Sequence, residues 1–195
     1  MNYCSDCGAN VVEKIPDGDN RPRFVCEQCG SIHYQNPKIV AGCIPEWQGR
    51  ILLCKRAIEP RYGRWTLPAG FMENNETALE AAMRETEEEA RARVEILDLY
   101  TLISLPHINQ VYMMFRSRLL DLNFEAGEET LEVQLFELDR IPWEELAFLT
   151  IQHTLRFFVS DADNGGDFRF RMGDIMTKGS KPKFVEQGVA VRSQS

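Results

Sequence analysis

The side chains of this chain best suited to chemistry are carboxylates and thiols, each set at regular spacing. The carboxylates crowd the stretch from Glu76 to Glu89. Thr77 and Glu80 form a Thr-x-x-Glu capping pattern, which predicts a helix starting at Thr77 and running to about Arg93. At roughly 100° per residue, Leu79, Met83, Thr86 and Ala90 share one stripe, expected to face the core. Glu85 and Glu89 lie one turn apart with Glu88 beside them, about 120° from that stripe. Glu80, Arg84, Glu87 and Arg91 occupy a third sector, where they can pair one turn apart. Three clustered carboxylate ligands without a cation of their own suit Mg²⁺ or Mn²⁺. A solvated acidic face is the competing reading, and the helix alone does not choose between them.

The thiols come in two Cys-x-x-Cys pairs, Cys4 with Cys7 and Cys26 with Cys29, each closed by a glycine. Four thiolates at this spacing suit a tetrahedral zinc site with no open position, hence a structural one. A segment this short cannot bury enough apolar surface to hold itself together, whereas zinc binding contributes about 10–16 kcal/mol. Two disulfides or a redox pair are the alternative. The N-terminus shows no secretion signal, which implies a reducing, cytoplasmic setting where structural disulfides are rare. Cys43 and Cys54 sit in apolar strand segments and read as small hydrophobes, and His33 as an ordinary loop residue.

Three segments must position these groups. Residues 1–36 form the zinc ribbon, 37–160 the main domain, and 161–195 a C-terminal extension whose last part is expected to be disordered. In the main domain Ile39 to Trp47 and Ile51 to Arg56 read as a hairpin turning at Gln48-Gly49. Val94 to Leu105, Gln110 to Leu120 and Leu131 to Leu138 read as further strands. Trp143 to Phe148 and Ile151 to Val159 read as helical, and the FRFRM stretch from Phe168 as a short strand. Strands dominate, so the class is α+β with a layered mixed sheet. No apolar run reaches the ~18 residues of a membrane span. A net charge of −8 argues against a general nucleic-acid binder.

The pattern Gly70-x5-Glu76-x7-Arg84-Glu85-x-x-Glu88-Glu89 resembles the signature of the Nudix hydrolases, with every charged position present. The approach Trp65-Thr-Leu-Pro-Ala-Gly70-Phe71 is similar to theirs as well. Three positions depart from the family pattern: Asn75 stands where Gly commonly precedes Glu76, Thr86 replaces an aliphatic residue, and Arg91 replaces a Gly. None of them removes a ligand. The resemblance implies a Nudix-type mixed β-sheet sandwiched between helices, and hydrolysis of a diphosphate bond in a nucleoside diphosphate derivative. It implies that Glu85, Glu88 and Glu89 ligate two or three Mg²⁺ or Mn²⁺ ions, with a main-chain carbonyl near Ala69 or Gly70. Arg84 and Glu76 would orient those ligands. A further carboxylate is expected from the loop before Leu131, where Glu128, Glu129 and Glu132 are candidates and Glu129 is favoured as base or extra ligand.

NADH pyrophosphatases with a Cys4 ribbon show a Ser-Gln-Pro-Trp-Pro-Phe-Pro stretch after this signature, and here the region reads ILDLYTLISLPHINQ. The chain is more similar to the shorter bacterial and plastid enzymes that hydrolyse FAD and ADP-ribose. That likeness runs from the first cysteine pair through YQNPK, LLCKR, WTLPAG and LFELDRIPWEELAF to about Lys178, and Pro106 fits the position of a proline common in ADP-ribose hydrolases. The products implied are AMP with FMN or ribose 5-phosphate. Arg56, Arg61 and Arg64 are placed to clamp phosphate oxygens. Trp65, Tyr34, Phe71 and Tyr112 are candidates to stack on an adenine or flavin ring. Three alternatives stand beside this reading: an NADH pyrophosphatase, a non-catalytic nucleotide sensor, and a nucleic-acid-binding ribbon. The last is weakened by a net charge of −1 over residues 1–38. Relatives of this sort are commonly dimers, which leaves the oligomeric state open.

Overall fold

The structure, a computed structural model, describes residues 1–177 and 182–187. The expected disorder at the end of the tail concerns residues outside that set. The chain divides into two compact units, Met1–Pro37 and Lys38–Ser195. Among the described residues no helix is long and apolar enough to cross a membrane.

In the first unit, strands β1 (Val11–Lys14), β2 (Arg23–Cys26) and β3 (Ile32–His33) form an antiparallel sheet in that order. Each cysteine pair sits on a turn closed by its glycine, whose N–H donates to the carbonyl of the first cysteine: Gly8 to Cys4 at 3.0 Å and Gly30 to Cys26 at 2.9 Å.

The second unit is built on a nine-stranded mixed sheet. Its strands are β4 (Lys38–Trp47), β5 (Arg50–Arg56), β6 (Trp65–Thr66), β7 (Ala69–Phe71), β8 (Val94–Leu105), β9 (Gln110–Leu119), β10 (Thr130–Glu137), β11 (Arg171–Thr177) and β12 (Pro182–Gln187). The order is β10-β5-β4-β9-β8-β11-β12, with β6 beside β5 and β7 beside β4. β4 and β5 make the expected hairpin, and β4 runs parallel to β9. The segment read as an extension supplies two strands of this sheet, β11 pairing in parallel with β8.

Helices α1 (Ala78–Ala90) and α2 (Leu149–Asp163) cover opposite faces of the sheet. Successive strand residues point to opposite faces, and β5 shows the consequence: Leu53 joins the α2-side core with Ile44, Tyr100 and Leu155, while Leu52 joins the α1-side core with Ala41, Ala81 and Phe115. A strand covered on both faces reads as an unbroken apolar run, which Ile51 to Cys54 is. Residues Trp143 to Phe148, expected to be helical, form only a 3₁₀ turn at Trp143–Glu145.

The phase of α1 differs from the expectation. Leu79 and Met83 are 46% and 39% exposed, and the buried face is Ala81, Ala82, Thr86, Glu89 and Ala90. Small side chains let the helix lie close on the sheet, and the Thr86 hydroxyl donates back to the Ala82 carbonyl at 2.8 Å. Close approach, and not side-chain hydrophobicity, selects this face. The carboxylates therefore flank the packed side, at its open end. The helix begins as expected, with both hydrogen bonds of the Thr77–Glu80 capping box present. It stops at Ala90, because Arg91 takes the left-handed conformation, φ 50°, that favours a glycine.

Candidate active site

The carboxylate cluster opens onto a cavity of about 980 Å³. Glu85, Glu88 and Glu89 line it, with Ala69 and Gly70 of β7. Glu89 is 8% exposed, and its Oε2 accepts a hydrogen bond from the Ala69 N–H at 3.2 Å. Burial pushes its carboxyl up to about 8; the Ala69 N–H works against that shift and the Glu85 charge adds to it. Burial also raises Glu85, opposed by Arg84. Glu85 has the Arg84 guanidinium at 2.8 Å, whereas Glu89, buried among like charges, has no ion-paired counter-charge among the described residues. Hard divalent cations supply one, so this donor set fits the expected metal ions.

Two glycines lie against the cluster. A Cβ on Gly70 would lie 2.3 Å from the Glu85 carboxylate, so a larger residue there would displace that side chain from its present position. A Cβ on Gly127 would lie 1.7 Å from the Glu88 carbonyl oxygen. That close approach lets the loop before β10 cap α1: Gly127 N–H donates to the Glu89 carbonyl at 3.0 Å and Glu125 N–H to the Ala90 carbonyl at 2.9 Å. The same loop carries Glu128 and Glu129 to the cavity. Glu132 lies past an irregularity in the β10 register, where it pairs with Lys55 at 3.5 Å, and it is not among the cavity residues. The candidates narrow to Glu128 and Glu129.

Arg84 does not pair with Glu80 or Glu87 as the helix sectors suggested. Its Nε and NH2 donate to Glu76 at 3.0 and 2.8 Å, and NH2 also reaches the Phe71 carbonyl at 3.1 Å. NH1 donates to Glu85 at 2.8 Å and Glu88 at 3.1 Å, so two of the three carboxylates read as unpaired share one guanidinium. Arg84 and the Glu73 N–H pull the Glu76 carboxyl down to about 2. One cation thus ties the loop before the helix to two of the clustered carboxylates.

In the first unit the four cysteine sulfurs lie within 4.8 Å of one another, with Cys4 to Cys29 at 3.7 Å and Cys7 to Cys26 at 3.5 Å. Tetrahedral zinc with bonds of about 2.3 Å calls for sulfurs about 3.8 Å apart, so the cluster fits zinc. Ser31 pulls the Cys29 thiol down, whereas Cys7, against the Ala9 backbone hydrogen bond, is pushed up by its thiol neighbours; zinc binding needs all four as thiolates. His33 is more than an ordinary loop residue: it lies on β3 with Nε2 3.3 Å from Cys4 Sγ.

Residues 36–156 match the family model for the NUDIX domain, and residues 2–35 the model described as Nudix N-terminal, a zinc ribbon. The chain is a Nudix hydrolase. It is 31% identical over 121 residues to the ADP-ribose pyrophosphatase of Methanocaldococcus jannaschii, covering 59% of this chain and 69% of that protein. It is 29% identical over 153 residues to the NAD-capped RNA hydrolase NudC of Photobacterium profundum, 76% of this chain but only 52% of that one, about half its length. A crystal structure of a NUDIX hydrolase from Nitrosomonas europaea superposes with a TM-score of 0.87 at 55% identity, covering 90% of this chain and 99% of that one.

The remaining expected site residues of this Nudix hydrolase fall into two groups. Arg56, Arg61, Arg64, Phe71 and Tyr112 line the cavity. Arg56 lies over the Phe148 ring at 5.1 Å, and Arg64 NH1 donates to the Glu144 carbonyl at 2.6 Å. Trp65 is not among the cavity-lining residues: it is 5% exposed, packed edge-on against Phe136 at 4.9 Å in the α2-side core. A two-residue strand paired to β5 turns its ring inward. Tyr34 belongs to the first unit, where Arg23 lies over its ring at 4.9 Å. Sequence reasoning missed His107, Phe148 and Thr150, all of which line the cavity. None carries a local signal, because the fold brings them in from the 3₁₀ turn at Pro106–Ile108 and from the start of α2.

Proposed function

We propose that this enzyme hydrolyses the diphosphate of a dinucleotide-like substrate, ADP-ribose and/or FAD, giving AMP with ribose 5-phosphate or FMN. The carrying observation is one open cavity that holds a carboxylate cluster together with Arg56, Arg61 and Arg64. The relative named an ADP-ribose pyrophosphatase supports the same choice. Glu85, Glu88 and Glu89 hold the Mg²⁺ or Mn²⁺ ions, joined by a main-chain carbonyl of Ala69 or Gly70. When bound, such ions neutralise the diphosphate and make a water nucleophilic. Arg84, fixed by Glu76, orients Glu85 and Glu88. Glu129 takes a proton from the attacking water or adds a ligand. Arg56, Arg61 and Arg64 address the phosphate oxygens, and Phe71, 47% exposed, offers a ring face.

A second reading, NADH as substrate, draws on the relative named an NAD-capped RNA hydrolase. A substrate panel with Mg²⁺ or Mn²⁺, scored by product identity, tests both. FAD should yield AMP and FMN, ADP-ribose should yield AMP and ribose 5-phosphate, and nucleoside triphosphates should react more slowly. Preference for a triphosphate, or both dinucleotides left intact by metal-loaded enzyme, overturns the proposal.

A further inference from the structure

The matched NUDIX segment ends at residue 156, yet the catalytic cavity does not. Ile175 of β11 and Pro182 of β12 line it together with Leu105, Ile108 and Tyr112. We propose that the two C-terminal strands build an apolar wall of the catalytic cavity that receives a planar heteroaromatic ring of the substrate. The proposal rests on the diphosphate-hydrolase reading above and deepens it.

Three contacts hold these strands in place. β11 pairs in parallel with β8, Arg171 to Asp174 opposite Thr101 to Ser104. Arg171 donates through NH1 at 2.6 Å and NH2 at 2.5 Å to Asp161, a buried carboxylate of α2 that also accepts from the Tyr100 hydroxyl at 2.8 Å. Phe184 of β12 stacks on His153 of α2, with centroids 4.4 Å apart, and packs edge-on against Phe157. The Phe184 ring crosses β11 at Gly173, where a Cβ would sit 2.2 Å from it. The strands are thus locked to both the sheet and the second helix, which gives the wall a fixed position.

The wall has the chemistry of a ring site. Its residues are aliphatic or aromatic, as flat apolar faces require. Adenine and the flavin ring share this chemistry.

Steady-state kinetics of the full, metal-loaded chain with FAD and with ADP-ribose test the proposal, comparing wild type with Pro182→Trp and Phe184→Ala. Pro182 is exposed, so tryptophan there crowds the wall without disturbing the core. KM should rise about ten-fold in both variants while kcat stays within about two-fold, as for loss of a binding contact. A rise for FAD alone places the flavin ring on the wall; a rise for both substrates places adenine there. Unchanged KM for both substrates in a Pro182→Trp enzyme that melts like wild type overturns the proposal. So does a rise confined to Phe184→Ala with a lowered melting temperature, which would reflect a loosened sheet. If wild type cuts neither substrate, the substrate reading fails by itself, and the same KM comparison on whichever nucleotide it does cut decides the wall.

Discussion

The two ligand clusters of this protein are assembled in opposite ways. The four sulfurs of the ribbon are gathered by two short turns on a three-stranded sheet, and Cys4, Val25 and Cys26 are the buried hydrophobic residues of that unit. The carboxylates of α1 are gathered by a two-faced core of large side chains, by a glycine loop and by one arginine. In the first case the ligand set is the core. In the second the core exists already and brings like charges together, at a cost that the divalent ions proposed for this site would offset. A metal can hold a fold up, or a fold can hold a metal site open.

The comparison breaks most sharply on chelation. Zinc removal should collapse residues 1–37, since about 10–16 kcal/mol of binding replaces a core there. Hydrogen exchange should show loss of protection in that unit while β4, β8 and α1 stay protected. One zinc per chain is expected, and metal analysis finding none with intact thiols would sink this half of the contrast.

The next effect concerns catalysis without folding. Glu89→Gln keeps size and removes a ligand charge, so kcat should fall by about a thousand-fold or more while the metal-free protein stays folded. Glu87→Gln, outside the cavity, is the control and should be near neutral. A Glu89→Gln enzyme turning over near the wild-type rate would reduce the acidic face to solvated surface.

Gly127→Ala sharpens the claim that the loop before β10 is built against α1. Its methyl cannot fit beside the Glu88 carbonyl, so stability should fall by about 1–3 kcal/mol, read by chemical denaturation. Activity should fall with it, because Glu128 and Glu129 move away from the cluster. An alanine variant of wild-type stability and rate would mean that the loop is not held by this approach.

A pH dependence should separate the clusters further. In zinc-loaded protein lacking other divalent ions, the Glu89 carboxyl ionises near 8 when folded and near 4.5 when unfolded. The folded state then binds more protons across that window, so stability should fall as pH rises from about 4.5 to about 8. Glu89→Gln should flatten this slope, and Mg²⁺ should do the same. A slope unchanged by the substitution would place the strain elsewhere.

The smallest effect is at Arg91, where the helix ends in a left-handed conformation. Arg91→Gly should relieve that strain, offset by the entropy of glycine, for a gain of about 0.5–1 kcal/mol in thermal melts. A loss would mean that the arginine side chain makes a contact of larger value.

Features that depend on neighbours along the chain are legible in the residues alone. The Thr77–Glu80 cap, the hairpin at Gln48-Gly49, the pairing of thiols across turns and the spacing of Glu85, Glu88 and Glu89 are all local, and local spacing survives translation into three dimensions. Tertiary structure decided which face of a segment meets which partner. Hydrophobicity pointed Leu79 and Met83 inward, but a helix lying close on a sheet needs alanines there. Trp65 had the chemistry of a stacking residue until a two-residue strand buried it, and Glu132 that of a ligand until the β10 register gave it to Lys55. Arg84 left its own helix sector for Glu76, Glu85 and Glu88, because the loop before the helix folds back across it. His107, Thr150 and the strand pair carrying Ile175 and Pro182 meet in one cavity from three distant stretches, brought together by the tertiary fold.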